Sequence, residues 1–123
     1  MARYRGLTLR VLGRDAPAMG PGRAELISRI GKTGSISAAA REMGMSYRRA
    51  WQLVEAMNGC FNRPVVITTV GGRRGGGAQV TPFGKRLVAL YRDMEHKASM
   101  AIAADLKRFL SHLRPRARRR RAR

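Results

Sequence analysis

The run Ser46-Tyr47-Arg48-Arg49-Ala50-Trp51-Gln52 carries the most specific chemistry in this 123-residue chain. A guanidinium can bond guanine O6 and N7 together, and a glutamine amide can do the same for adenine. A serine hydroxyl beside the free amides of a helix start can hold a phosphate oxygen, helped by the helix dipole. On a helical wheel Ala50, Leu53, Val54 and Met57 share one face and should point to a core. Arg48 and Gln52 lie opposite, with Arg49 on a flank. Tyr47 and Trp51 fall at the boundary, and Trp51 is expected to pack rather than to touch a base. Arg48 and Arg49 suit phosphate contact as well as base readout, since most protein–DNA hydrogen bonds go to the backbone.

A second group is Gly71-Gly-Arg73-Arg74-Gly-Gly-Gly-Ala78. Its glycines let a loop lie flat against a phosphate backbone, and Arg73 and Arg74 supply charge. The loop lacks the Lys-Ser/Thr pair of a P-loop, and no helix opens inside it as a dinucleotide fingerprint requires. Lys85 and Arg86, just beyond, can also reach phosphate. Other chemistry is not indicated. His96 and His112 have no neighbouring cysteines and no metal-ligand spacing. Glu42 and Glu55 suit ion pairs with nearby arginines better than a paired acid and base. The expectation is therefore a non-enzyme with no catalytic residue, no metal and no cofactor.

The elements that must position these groups follow from periodicity and caps. Tyr4–Leu12 alternates apolar and polar, the mark of a half-buried strand. Gly13–Gly22 reads as a loop. A first helix is predicted at about Pro21–Ile30, closed by Gly31 and Gly34. A short second helix covers Ser35–Met43, with Ser35 or Ser37 as its cap and three alanines favouring it. Gly44 ends it, and Ser46 caps a third helix over Tyr47–Asn58. The alanines let the two helices approach closely, so the pair reads as a helix-turn-helix that presents Ser35, Ser37 and the third helix to a major groove. Val65–Thr69 and Gln79–Thr81 are short strands around the glycine loop, which makes that loop a wing.

Thr81-Pro82 starts a last helix sharply. Apolar residues then recur at spacings of three and four through Leu113, implying about 30 residues and about 45 Å of helix at 1.5 Å per residue. Its far half has nothing in its own chain to cover its apolar stripe, so a second copy is expected there as a twofold dimer. Pro115 stops it. The predicted organisation is one domain over 1–113 and a disordered arginine tail over 114–123. The fold class is mainly α with a small β wing, a winged helix-turn-helix with a long C-terminal dimerisation helix.

Charge agrees with this. There are 26 Lys+Arg against 7 Asp+Glu, a net +19. The last ten residues hold seven arginines, and +12 remains without them. Polyanions are the natural partners, nucleic acid foremost. The single Cys60 cannot form an intrachain disulfide and suits a reducing compartment as a small packed residue. No apolar stretch is long enough to span a membrane, and no secretory signal follows the basic N-terminus, so a cytoplasmic protein on the nucleoid is expected.

Five motifs in order carry a resemblance. They are Gly34-Ser-Ile-Ser-Ala-Ala-Ala, Met45-Ser-Tyr-Arg-Arg-Ala-Trp, Met57-Asn, the Gly71–Ala78 loop and Val80-Thr-Pro-Phe-Gly. Together they resemble the N-terminal domain of molybdate-responsive transcriptional regulators of the ModE type, over about residues 4–110. The helix-turn-helix alone also resembles LysR-type regulators; the Ser-Tyr-Arg-Arg-Ala-Trp segment and the triple-glycine wing favour the first family. That resemblance implies a dimeric domain on palindromic operator DNA. Ser46, Tyr47, Arg48, Arg49 and Gln52 would lie in the recognition helix, and Arg73 and Arg74 in the wing. Members of full length also carry C-terminal molybdate-binding domains. No molybdate site is expected within these residues, so sensing would need another subunit. The competing expectation is an architectural, nucleoid-type protein with little sequence preference, which the arginine tail favours; an adaptor for a protein or RNA partner is a third reading.

Overall fold

The computed structural model describes residues 6–69 and 77–115. Arg73, Arg74 and the arginines from Arg116 onward lie outside the described residues, as do Tyr4 and Arg5. The elements run β1 (Val11–Leu12), β2 (Pro17–Met19), α1 (Pro21–Thr33), α2 (Ile36–Glu42), α3 (Tyr47–Cys60), β3 (Val66–Thr69), β4 (Gly77–Val80), α4 (Pro82–Ala101) and α5 (Ala103–Leu110). Two antiparallel hairpins, β1–β2 and β3–β4, flank a three-helix centre. This is the expected mainly helical fold with a small β wing.

The centre forms because α1 places Ala24, Leu26, Ile27 and Ile30 on one face, all buried. Burying each large side chain contributes about 1.5–3 kcal/mol. Ala39 and Ala40 of α2 and Ala50 of α3 are buried against that face, so small side chains allow close helix contact. Val54, Met57, Val65, Val66 and Tyr91 complete the core. α1 runs three residues past the expected Ile30. Gly31 sits inside it, and Gly34 ends it, donating its N–H to the Ile30 carbonyl at 2.8 Å. Of the two candidate caps of α2, Ser35 is used: its Oγ accepts from the Ala38 N–H at 3.1 Å, while Ser37 is exposed. Arg29 ties α1 to α2, bonding Glu42 at 2.8 Å and Glu25 at 3.0 Å. Those hydrogen bonds, to Glu42 first and Glu25 second, hold its guanidinium above the ordinary arginine value.

Two sequence expectations need correction. The first strand is not Tyr4–Leu12. Only Val11 and Leu12 pair, and their partner is Pro17–Met19, inside the expected loop. The turn that permits this is closed by Gly13 N–H to Ala16 O at 2.8 Å, and a proline at a strand start removes no ladder bond there. The glycine and proline content that signalled a loop thus belongs to a hairpin.

The last helix is also not continuous. α4 and α5 meet at Ile102, which has φ −112° and ψ 14°. The departure is one residue wide: Ile102 N–H still reaches Ala98 O at 3.2 Å, and Leu106 N–H reaches Ile102 O at 2.7 Å. No proline or glycine marks the place. Leu106, on α5, lies near Gly6 in space, its Cδ2 3.8 Å from where a Cβ on Gly6 would stand. Periodicity along the helix cannot register that proximity.

The β3–β4 hairpin is fixed to this body at three points. Asn58, on α3, accepts from Val65 N–H at 2.8 Å and Val66 N–H at 3.2 Å and donates to Val66 O at 2.9 Å. Ala78 N–H bonds Gly34 O at 2.9 Å. Thr81 donates its backbone N–H to Val65 O at 2.9 Å, and its hydroxyl caps α4 by accepting from Gly84 N–H at 2.9 Å. Gly84 is buried where a Cβ would stand 2.4 Å from the Val65 carbonyl oxygen. Backbone cannot move away cheaply, so only glycine fits.

Two stability changes are expected. Asn58→Ala strips three backbone groups of their partner and should cost about 1–3 kcal/mol in urea unfolding. Gly84→Ala should cost a similar amount, about 1–3 kcal/mol, by overpacking. An unfolding midpoint equal to that of the parent chain would contradict the corresponding contact.

Candidate nucleic-acid interface

α2 and α3 are joined by a turn at Gly44, whose φ of 69° is open to glycine at little steric expense. Met45 follows, half-buried against the core. Ser46 then starts α3, its Oγ accepting from Arg49 N–H at 3.1 Å. This cap satisfies one of the free donors at the helix start. The remaining amides there and the dipole leave a locally positive end.

From this start the side chains divide cleanly. Ala50, Val54 and Met57 are buried. Tyr47, Arg48, Arg49, Trp51 and Gln52 are exposed. The core face is the one the helical wheel indicates. Trp51 differs from expectation: it is 43% exposed, not packed, and Tyr47 is 54% exposed. The reason is rotational. Trp51 follows buried Ala50 by about 100°, and Leu53 and Val54 already fill the neighbouring sector. The outer face of α3 therefore combines two cations, an amide and two aromatic surfaces.

The structure does not gather every expected residue on this face. Ser35 is half-buried as a cap, and Ser37 is exposed on α2. Lys85 is exposed on α4 and lines a shallow groove with Ile27, Lys32 and Val80. That groove shares no lining residue with the surroundings of Ser46. Arg73 and Arg74 fall outside the described residues, between the ends of a hairpin whose register runs from Val66–Val80 to Thr69–Gly77.

One feature is absent from the sequence reading. A cleft of about 750 Å³ opens beside the start of α3. Arg10, from the segment before β1, and Arg23, from the first turn of α1, line it together with Ser46 and Arg49. Arg10 was legible only as the polar half of a strand alternation, and nothing marked Arg23.

The remaining polar groups behave as ordinary structure. Glu42 pairs with Arg29, whereas Glu55 has no ion pair among the described residues. His96 and His112 are exposed. Cys60 is half-buried, with Sγ 3.8 Å from Pro17 O. No group of three metal-ligating side chains occurs among the described residues. No described helix is long and apolar enough to cross a membrane.

Comparison with known proteins places this geometry. No family model matches the chain. It is 52% identical over 85 residues to the molybdenum-pterin-binding protein MopB of Rhodobacter capsulatus, covering 69% of this chain and 32% of that protein. It is 41% identical over 71 residues to the DNA-binding transcriptional dual regulator ModE of Escherichia coli K12, covering 58% and 27%. The chain thus spans about a third of the length of the curated relatives it matches. Among solved structures, the CbnR_DBD–DNA complex superposes with a TM-score of 0.53 at 15% identity, covering 74% of this chain and 97% of that one. The BenM_DBD complex with benA site 1 DNA gives 0.52 at 13% identity, covering 77% and 100%. At such identities these likenesses establish the fold. The chain is accordingly a winged helix-turn-helix, and over the matched segment it is homologous to the ModE-type molybdenum regulators.

Proposed function

We propose that this chain is a sequence-specific regulator of transcription that binds duplex DNA as a homodimer. The observation that carries the reading is the division of α3. Its buried face is apolar, and its outer face offers Arg48, Arg49 and Gln52, flanked by Tyr47 and Trp51. On this reading α3 lies in a major groove. Arg48 and Gln52 meet base edges, and Ser46 and Arg49 meet phosphate. The exposed rings of Tyr47 and Trp51 suit apolar contact, as with a thymine methyl. Ser37, exposed on α2, is a proposed phosphate contact, and Ser35 supports the surface as the cap of α2. Lys85, away from this face on α4, and Arg73 and Arg74, outside the described residues, are proposed as further backbone contacts. Homology to transcriptional regulators and a fold shared with DNA-binding domains support the reading.

The dimer is proposed through the last two helices. Leu90, Met94 and Met100 on α4, and Phe109 and Leu110 on α5, are large apolar side chains left exposed. Phe109 is 68% exposed, and no residue of α5 is buried. A second copy packed along these helices removes part of this apolar surface from water and spaces two recognition helices for an inverted repeat. The alternative, an architectural DNA-binding protein with little sequence preference, is favoured by the seven arginines of the last ten residues. Phosphate contacts of that kind carry no sequence information.

Selection of sites from random duplex DNA separates the two: an enriched inverted repeat is expected, and no enrichment would favour the architectural reading. In the same assay Arg48→Ala and Gln52→Ala should each relax preference at one base position by about 1–3 kcal/mol. Unchanged preference would exclude α3 as the reading element. Sedimentation should give a dimer for the parent chain and a monomer for Phe109→Glu; a monomeric parent would remove the proposed interface.

A further inference from the structure

We propose that the cleft between the β1–β2 hairpin, the start of α1 and the α2–α3 turn seats a sugar–phosphate segment of duplex DNA, with Arg10 and Arg23 as its phosphate ligands beside Arg49. This rests on the DNA-binding reading above and extends the contact surface to elements outside the helix-turn-helix.

Three arginines line the cleft, and no acidic residue does. Arg10 comes from the chain before β1, Arg23 from the first turn of α1, and Arg49 from the first turn of α3. None of the three has an ion pair among the described residues, whose pairs use Arg29, Arg92 and Lys97. Three cations without an ion-pair partner around one concavity repel one another, and an anion relieves that arrangement. Arg23 is half-buried, and its Nη1 is closed off from solvent without a hydrogen-bond partner. That nitrogen reaches an anionic oxygen only when the side chain turns outward into the cleft, where such an oxygen is its strongest acceptor.

The rest of the lining narrows the occupant. Thr8 and Ser46 add hydroxyls, while Met19, Met43 and Leu53 provide apolar wall. A volume of about 750 Å³ exceeds what one tetrahedral ion fills. It suits a phosphodiester together with its flanking sugars, whose carbon faces meet the methionines. The cleft also shares Ser46 and Arg49 with the start of α3. A strand whose bases are read by the outer face of α3 can pass its backbone over this end. Such contacts position the protein and leave base preference untouched.

The test compares Arg10→Gln and Arg23→Gln with the parent chain by fluorescence anisotropy. Two duplexes are used, the selected site and an unrelated sequence of equal length, across a KCl series. Each variant is expected to lose affinity by the same factor on both duplexes. Each should also flatten the plot of log K against log[salt] by about 0.9, the slope of one phosphate contact. Arg10→Lys and Arg23→Lys, which keep the charge, should hold the parent's slope, which separates a lost phosphate contact from a damaged fold. If the parent binds DNA and both Gln variants match it in affinity and slope, the cleft proposal is overturned while the functional reading stands. A parent chain that binds no duplex sinks both. Should millimolar inorganic phosphate, against chloride of equal ionic strength, raise the parent's melting temperature but not that of Arg23→Gln, while DNA binding is equal in both, the cleft belongs to a free oxyanion and the proposal fails.

Discussion

The side-chain amide of Asn58 holds the two halves of this domain in one frame. It spends its carbonyl on two N–H groups of the Val65–Val66 segment and its amino group on the Val66 carbonyl. Strand ends normally leave such groups to water, and partly buried ones must be paired elsewhere. Here the pairing partner sits in the last turn and a half of α3. The helix and the hairpin therefore cannot change their mutual angle without breaking three bonds together. Ala78 to Gly34 and Thr81 to Val65 brace the same hairpin from the other strand. A single amide thereby ties the start of β3 to α3.

Local chemistry made much of this readable in advance. Ser46 before a helical run, Gly44 at a tight turn, alanines in α2 and Thr81-Pro82 at a helix start are signals complete within a few residues, and the structure uses each of them. The β1–β2 hairpin escapes such a reading although its partners are close in sequence, because Gly and Pro content reads as a loop. The other differences involve groups set by the packed core or by distant elements. Trp51 lies beside the core face on a wheel, yet the core is already filled by residues from α1 and α2. Ile102 interrupts a helix whose apolar periodicity is unbroken, and Leu106 beyond it lies near Gly6. Arg10, Arg23 and Arg49 belong to three separate elements and meet only when the chain folds.

The distribution of acids matters as much as the surplus of bases. Four of the seven acids, Glu25, Glu42, Asp93 and Glu95, are engaged in ion pairs with Arg29, Lys97 and Arg92. Exposed pairs of this kind contribute little stability, about 0–1 kcal/mol. Their effect is on the field. These pairs lie on α1, α2 and α4, and no acidic residue lines the cleft at the start of α3. The arginines of that cleft therefore keep charge that no described ion pair neutralises, and charge of that kind attracts a polyanion.

The hydroxyl of Tyr91 donates to the carbonyl of Leu9, across 82 residues. During synthesis the segment bearing Arg10 emerges well before the group that anchors it, Tyr91 lying 82 residues beyond Leu9. At about 5–20 residues per second that interval is roughly 4–16 s. The helical centre between them has mostly short-range contacts and can form early, because closing a long loop is slow relative to local pairing. The segment bearing Arg10 then settles after the helical centre, and a nascent chain can have a finished α3 before the wall beside it exists.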